Sequence, residues 1–306
     1  MATSVDKTPH ISTLASGFTF TEGPRWHKDR WWFSDFYSHG IFSMTANGSE
    51  LRKELDVPAS PSGLGWLPDG RLLFVSMLDR KIMRKEKDGS VVVHADLSPF
   101  ATGPVNDMVV DMHGRAYVGN FGFDLMNDAP FATAKLVLVT PQGEPSVVAD
   151  DLHFPNGSII TPDGTTLIVE ESFGNRTSAF DINPDGTLGP RRDWASYGQL
   201  PSGTSISAMK SSGLVKFVPD GCCLDVEGHM WVADAGGNCV CRVAEVGEIL
   251  ETIDVGTGVF ACMLGGHDGR DLLMCCAPDS SSHKRSVATE AELKVTRVQV
   301  PHAGFP

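Results

Sequence analysis

The chain has 306 residues, 41% of them hydrophobic, which is enough to bury a large core, and all-β folds of this length commonly form one domain. A formal net charge of −13 argues against a nucleic-acid backbone or an anionic membrane as partner. The opening MATSVDKTPH lacks the apolar stretch of a signal peptide, and no apolar run approaches the ~18–20 residues that span a bilayer, so a cytoplasmic location is expected.

From the N-terminus onward, short strand-like runs recur around turns of the Asp-Gly type. They are HKDRWWFSD from His27, PDGRLLFVS from Pro68, MHGRAYVGN from Met112, PDGTTLIVE from Pro162, VEGHMWVAD from Val226 and HDGRDLLMC from His267. Asp-Gly between β-rich runs is a strong hairpin signal, because both positions tolerate positive φ. The turn positions Asp29, Asp69, His113, Asp163, Glu227 and His267 are separated by 40, 44, 50, 64 and 40 residues. A four-stranded propeller blade needs ~40–45 residues, so the count predicts an all-β, six-bladed β-propeller spanning 1–306 as one domain, with residues 1–10 outside the ordered ring. Two leftover strand-like segments, Ile11–Phe18 and Leu293–Val300, are expected to pair and close the last blade.

Seven residues before each turn position stand Glu22, Ser62, Asn106, Asn156, Asp220 and Phe260. Each begins the innermost strand of its blade, so the six lie on one circle at the channel mouth. Two carboxylates brought close repel, and buried charge is costly unless paired or metal-bound. Glu22, Asn106, Asn156 and Asp220 together form a hard oxygen set suited to one divalent cation, Ca²⁺ first, with Mg²⁺ or Mn²⁺ compatible. Asn-Gly and Asp-Gly are also ordinary turn dipeptides; the shared register is what lifts these above turn residues.

The second strand of each hairpin climbs back to the mouth and ends at Asp35, Ser76, Asn120, Glu170 or Glu171, and Asp234, expected mostly as solvated loop-end residues with one or two touching substrate. Asn106, Asn120, Phe121 and Glu171 are the expected substrate contacts. The Ser- and Gly-rich stretch from Trp194 to Val218 fills the widest gap and is expected to be a lid. The seven cysteines all lie between Cys222 and Cys276. The pairs Cys239/Cys241 and Cys275/Cys276 read as buried strand positions rather than a disulfide framework. No G-x-S-x-G elbow or phosphate loop occurs, and His153 reads as a structural histidine.

TEGPRW at Thr21, PVNDMVVDMHGRAYVGN at Pro104, FPNGSIITPDG at Phe154, VPDGCCLDVEGHMWVAD at Val218 and the terminal VPHAGFP together resemble the SMP-30/gluconolactonase family, in order along nearly the whole chain. The resemblance implies a six-bladed propeller lactonase using Ca²⁺, Zn²⁺ or another divalent ion. It places the metal-binding carboxylates on Glu22 and Asp220 and the amide ligand on Asn156. Asn106 lines the site and binds metal directly or through water, and Asp220 doubles as general base. Sugar-lactone members can carry an arginine two residues before the ND asparagine; here Pro104 stands there, with Phe121, Phe123, Met126 and Phe173 in nearby loops. A small lactone or ester less polar than a sugar acid is therefore the expected substrate. Organophosphate hydrolysis, an isomerase or lyase step, and a non-catalytic binding platform are the alternative uses of such a ring.

Overall fold

The computed structural model describes residues 9–304 except Asp128 and Thr204, and at Met126 the backbone alone. Its strands form six four-stranded antiparallel sheets arranged as the blades of a β-propeller. The innermost strands are Thr21–His27, Pro61–Trp66, Val105–Val110, Pro155–Ile160, Pro219–Leu224 and Gly258–Gly265. Blades 1 to 5 run outward from these in chain order. The sixth is built from Gly258–Gly265, Asp271–Ala277 and Ala291–Arg297, with Ser12–Phe18 added at its outer edge in register Ser12 to Val295 and Phe18 to Ala291. The two chain ends thus meet in one sheet, as the leftover segments suggested.

Packing follows from strand alternation. In the second strand of blade 4, Leu167 and Val169 turn toward Tyr117, Leu136 and Leu138 of blade 3. Ile168 turns the other way, toward Cys222, Met230 and Val232 of blade 5. Each blade is therefore apolar on both faces along its inner strands, while the outermost strands open to solvent, Val91, Val92 and Val93 included.

The far-face hairpins use the turn chemistry read from the sequence. Gly70, Gly114, Gly164 and Gly228 all take positive φ. The glycine-less first turn is made instead by Lys28 and Asp29, at φ 50° and 60°. In the sixth hairpin, whose inner strand runs to eight residues, two glycines take positive φ, Gly266 and Gly269, the second of them two residues after His267. The C-terminal segment then crosses this far face. The Val226 N–H donates to Pro301 O (3.0 Å), His302 N–H to Gly269 O (2.8 Å) and Ala303 N–H to Leu224 O (3.0 Å).

The wide connection is shorter than its sequence gap implied. Trp194 to Ser196 belong to the fourth strand of blade 4, Arg192–Ser196, and only the stretch after it leaves the sheet. That stretch carries a short helix, Ile206–Ser211, capped by Ser205 and anchored through buried Met209. Tyr197 packs on Phe217 at 4.5 Å, and the Lys210 ammonium lies 5.9 Å from the Phe173 ring centre. No helix among the described residues is long and apolar enough to cross a membrane.

Candidate metal centre

The inner strands that carry the six positions are neighbours around the channel, in contact at the ring residues or at the residues beside them. The space for a Cβ on Gly23, beside Glu22, is filled by Ser62 O at 2.9 Å. Ser62 Oγ donates to Asn106 Oδ1 (3.1 Å), and Asn106 Nδ2 donates to Asn156 Oδ1 (2.8 Å). Gly157 abuts Asp220 O, and Gly221 abuts Ala261 and Phe260 O, so only glycine fits between these strands. Phe260 closes the circle on Phe20 of blade 1, at 4.7 Å between ring centres.

Burial sets the electrostatics. Asn106, Asn156 and Asp220 are buried, while Glu22 keeps part of its surface open. Loss of solvation, and then the Asp220 carboxylate, push the Glu22 carboxyl well above its usual range, against the Gly23 N–H that donates to Oε2 at 3.0 Å. Burial, and then Asp107, push Asp220 up as well, opposed by hydrogen bonds from Asn156 and the Gly221 N–H. Asp107 is one residue below the ring and is paired with Arg25 at 3.0 Å, both side chains nearly buried. Three carboxylates (Glu22, Asp107, Asp220) against one guanidinium (Arg25) leave two net negative charges when all are ionised.

That residual charge is what one divalent cation cancels. Each ring amide oxygen accepts one hydrogen bond, Asn106 from Ser62 and Asn156 from Asn106, which leaves a lone pair on each. The donor set fits a hard cation. Among the described residues no three His, Cys, Asp or Glu side chains are gathered for a metal, so the amides are needed to complete this set. A cavity of about 340 Å³ opens at the opposite end of the channel beside Trp26, His27 and Trp66, but Asp111 is its one lining carboxylate. The paired charges are at the mouth.

The rim residues behave differently from expectation. Asp35, Ser76, Asn120, Glu171 and Asp234 are buried, not solvated. Asp35 accepts the N–H groups of Thr19 (3.1 Å) and Phe20 (2.8 Å), and Asp234 those of Val218 (3.1 Å) and Gly236 (3.0 Å). Asn120 is held by Lys135 O (2.7 Å) and Gly122 N–H (3.0 Å). Glu171 is held by His153 N–H (2.6 Å) and the Arg176 guanidinium (2.8 and 3.0 Å). Asp35, Glu171 and Asp234 thus pin the segment entering their blade to its second strand, whereas Asn120 ties its strand to the loop and strand that follow. Phe121, Phe123 and Phe173 are buried too, clustered on Phe154 at 4.6, 6.1 and 5.2 Å, and so pack under the loops. The Met126 side chain lies outside the described residues. The His153 imidazole is held below its usual range by burial.

Sequence reasoning missed two groups here, and it left Glu170 and Glu171 undivided. The Arg25–Asp107 pair joins residues 82 apart, although Asp107 follows Asn106 directly. Ser172 bridges the ring, accepting from Asn156 Nδ2 (3.1 Å) and donating to Pro219 O (2.7 Å). Glu170 points away from Glu171, into the space between blades 4 and 5. It is fully buried; its Oε2 accepts from Thr177 Oγ (2.6 Å), which contacts Tyr197 OH (2.9 Å), and its Oε1 has no partner among the described residues. Burial pushes its carboxyl up to about 8 against the Thr177 hydrogen bond, with Asp220 and Glu171 adding to the shift.

Regucalcin of Danio rerio is 28% identical over 72% of this chain and 67% of its own length. The regucalcin matches span between 54% and 67% of those proteins. A pentonolactonase of Haloferax volcanii is 25% identical over 93% of this chain and 92% of its own. The solved structure of a luciferin-regenerating enzyme superposes with a TM-score of 0.78 at 18% identity, covering 96% of this chain and 97% of that one, a likeness of fold. The profile of the SMP-30/gluconolactonase/LRE-like region matches residues 20–277, and the chain belongs to that family.

Proposed function

We propose that this protein hydrolyses a small lactone or a related carboxylic ester at the channel mouth, with one divalent cation, Ca²⁺ first, held by Glu22, Asn106, Asn156 and Asp220. The observation that carries the reading is a ring of two carboxylates and two amides, both carboxyls pushed up by lost solvation and neighbouring carboxylates, with one amide hydrogen-bonded to the next. Membership of a family that includes a pentonolactonase among the matched relatives supports the reaction class. The ion, when bound, supplies Lewis-acid polarisation of the carbonyl and charge for the developing oxyanion.

The remaining chemistry falls to the chain. Asp220, whose buried carboxyl has raised proton affinity, suits the general base. It takes a proton from the attacking water as the new C–O bond forms. The ester C–O bond then breaks, and the same proton passes to the departing alkoxide, so a hydroxy acid leaves and Asp220 is restored. Asn106 and Asn156, fixed by Ser62 and Ser172, hold their amide oxygens at the ring without titrating. Phe260 against Phe20 makes one wall at ring depth apolar, and Pro104 offers no charge two residues before Asn106. Both favour a lactone with few hydroxyls.

Asp220→Asn keeps a carbonyl oxygen for a hard cation and loses the base. Under metal saturation, kcat on a lactone panel is expected to drop about 10²–10⁴-fold with part of the metal affinity retained. Turnover at the wild-type rate would reduce Asp220 to a ligand. Chelator-insensitive turnover would remove the metal from the reaction.

A further inference from the structure

Away from the ring, the third strand of blade 5, Cys239–Val243, brings two thiols together near the mouth face. Cys239 and Cys241 are two residues apart, hence on the same side of the strand, and their sulfurs are 3.8 Å apart. Both are free thiols; Cys241 is buried, whereas Cys239 is partly open to solvent, the only described cysteine that is. Asp234 and Asp254 sit opposite Cys239 on the flanking strands. Asp234 Oδ2 and Cys239 Sγ face the same small space over Gly237, where an added Cβ would crowd the carboxylate and lie 3.2 Å from the sulfur.

We propose that Cys239 and Cys241 form a bidentate thiolate site for one thiophilic divalent cation of the Zn²⁺ class, distinct from the oxygen ring. Geometry selects this over a disulfide. Tetrahedral zinc with bonds of about 2.3 Å to sulfur requires an S···S edge of about 3.8 Å, the separation already present. A disulfide would have to draw the sulfurs to about 2.05 Å across neighbouring positions of a paired strand. The flanking aspartates oppose uncompensated thiolates and favour a cation. Both thiols lose their protons to buffer as the two S–Zn bonds form, so binding releases two protons. Water on the Cys239 side completes the sphere, since no third histidine, cysteine or carboxylate among the described residues is already gathered there. Sulfur here and oxygen at the ring sort cations by softness.

The test uses the reduced, full-length protein with Ca²⁺ in excess, titrated with Zn²⁺ against a chromophoric zinc indicator, and with Cd²⁺ to read thiolate charge-transfer absorption. One equivalent of Zn²⁺ is expected in the wild type and in Glu22→Ala, with proton release. Cys239→Ser should weaken it about tenfold or more and remove the cadmium band. Gly237→Ala, which keeps both thiols but crowds the space beside them, should weaken it as well. No zinc uptake, or uptake unchanged in Cys239→Ser, overturns the site. Uptake lost in Glu22→Ala and kept in Cys239→Ser assigns the zinc to the ring and also overturns it.

Discussion

Glu170 offers a quantitative test of the interior behind the ring. Its carboxyl is fully buried and pushed up to about 8, so the folded protein holds a proton there that the unfolded chain releases near the ordinary glutamate value of about 4.3. Folding therefore takes up a proton between these two values, and stability falls as pH rises through the window, with a slope of about 1.4 kcal/mol per pH unit. Integrated from pH 5 to pH 8, the loss is about 3.5 kcal/mol, tapering as the folded-state value is approached. Glu170→Gln is nearly isosteric with the neutral acid and cannot titrate. Urea unfolding of both proteins in chelator, at half-unit steps from pH 5 to 8, measures the difference directly. The variant should gain on the wild type progressively across that range and lie closest to its relative minimum gain at pH 5. Parallel stability curves would refute the reasoning, because Glu170 would then be ionised in the fold with a counter-charge not seen near it.

Glu22→Ala removes one of two ring carboxylates and should abolish most of the rise in Tm on adding Ca²⁺, measured by scanning calorimetry with metal content determined in parallel; undiminished occupancy would dismiss the ring as the metal centre. Replacing residues 198–216 with a short Gly/Ser linker removes the helix anchored by Met209 and the Lys210–Phe173 contact. Folding and metal binding should persist while KM across the lactone panel shifts, and unchanged kinetics would make the segment a passive insertion.

The architecture was legible because turn chemistry repeats where blades repeat. Asp-Gly turns counted six blades, and an offset of seven residues found the ring because most inner strands share one length and one irregularity just below their first residues. The sixth strand is longer, and there the turn glycine slipped by one. Burial at the rim was not legible. Distance along a strand says how high a residue sits, but the loop that folds back over Asp35 or Glu171 is set by contacts with segments 15 to 18 residues away. The choice between Glu170 and Glu171 likewise needed the blade on each side. Adjacent strand positions face opposite ways, and one acid met Arg176 while the other met Thr177. Trp194 to Ser196 read as connection because a Ser- and Gly-rich stretch follows them; pairing of Ala195 and Ser196 with Thr177 and Arg176 keeps them in the sheet.

The meeting of Ser12–Phe18 with Ala291–Arg297 also fixes an order of events. A ribosome delivers the first of these strands long before the second, with the five intervening blades between them. Five blades can assemble from neighbouring sequence as they emerge, but Ser12 must wait for Val295, and His10 O for the Thr296 hydroxyl. Until then the nascent molecule is an open arc, and the channel has no fixed bore. Glu22 and Asp220 are brought to their final spacing only when that last pairing forms, so the ring they share is completed last.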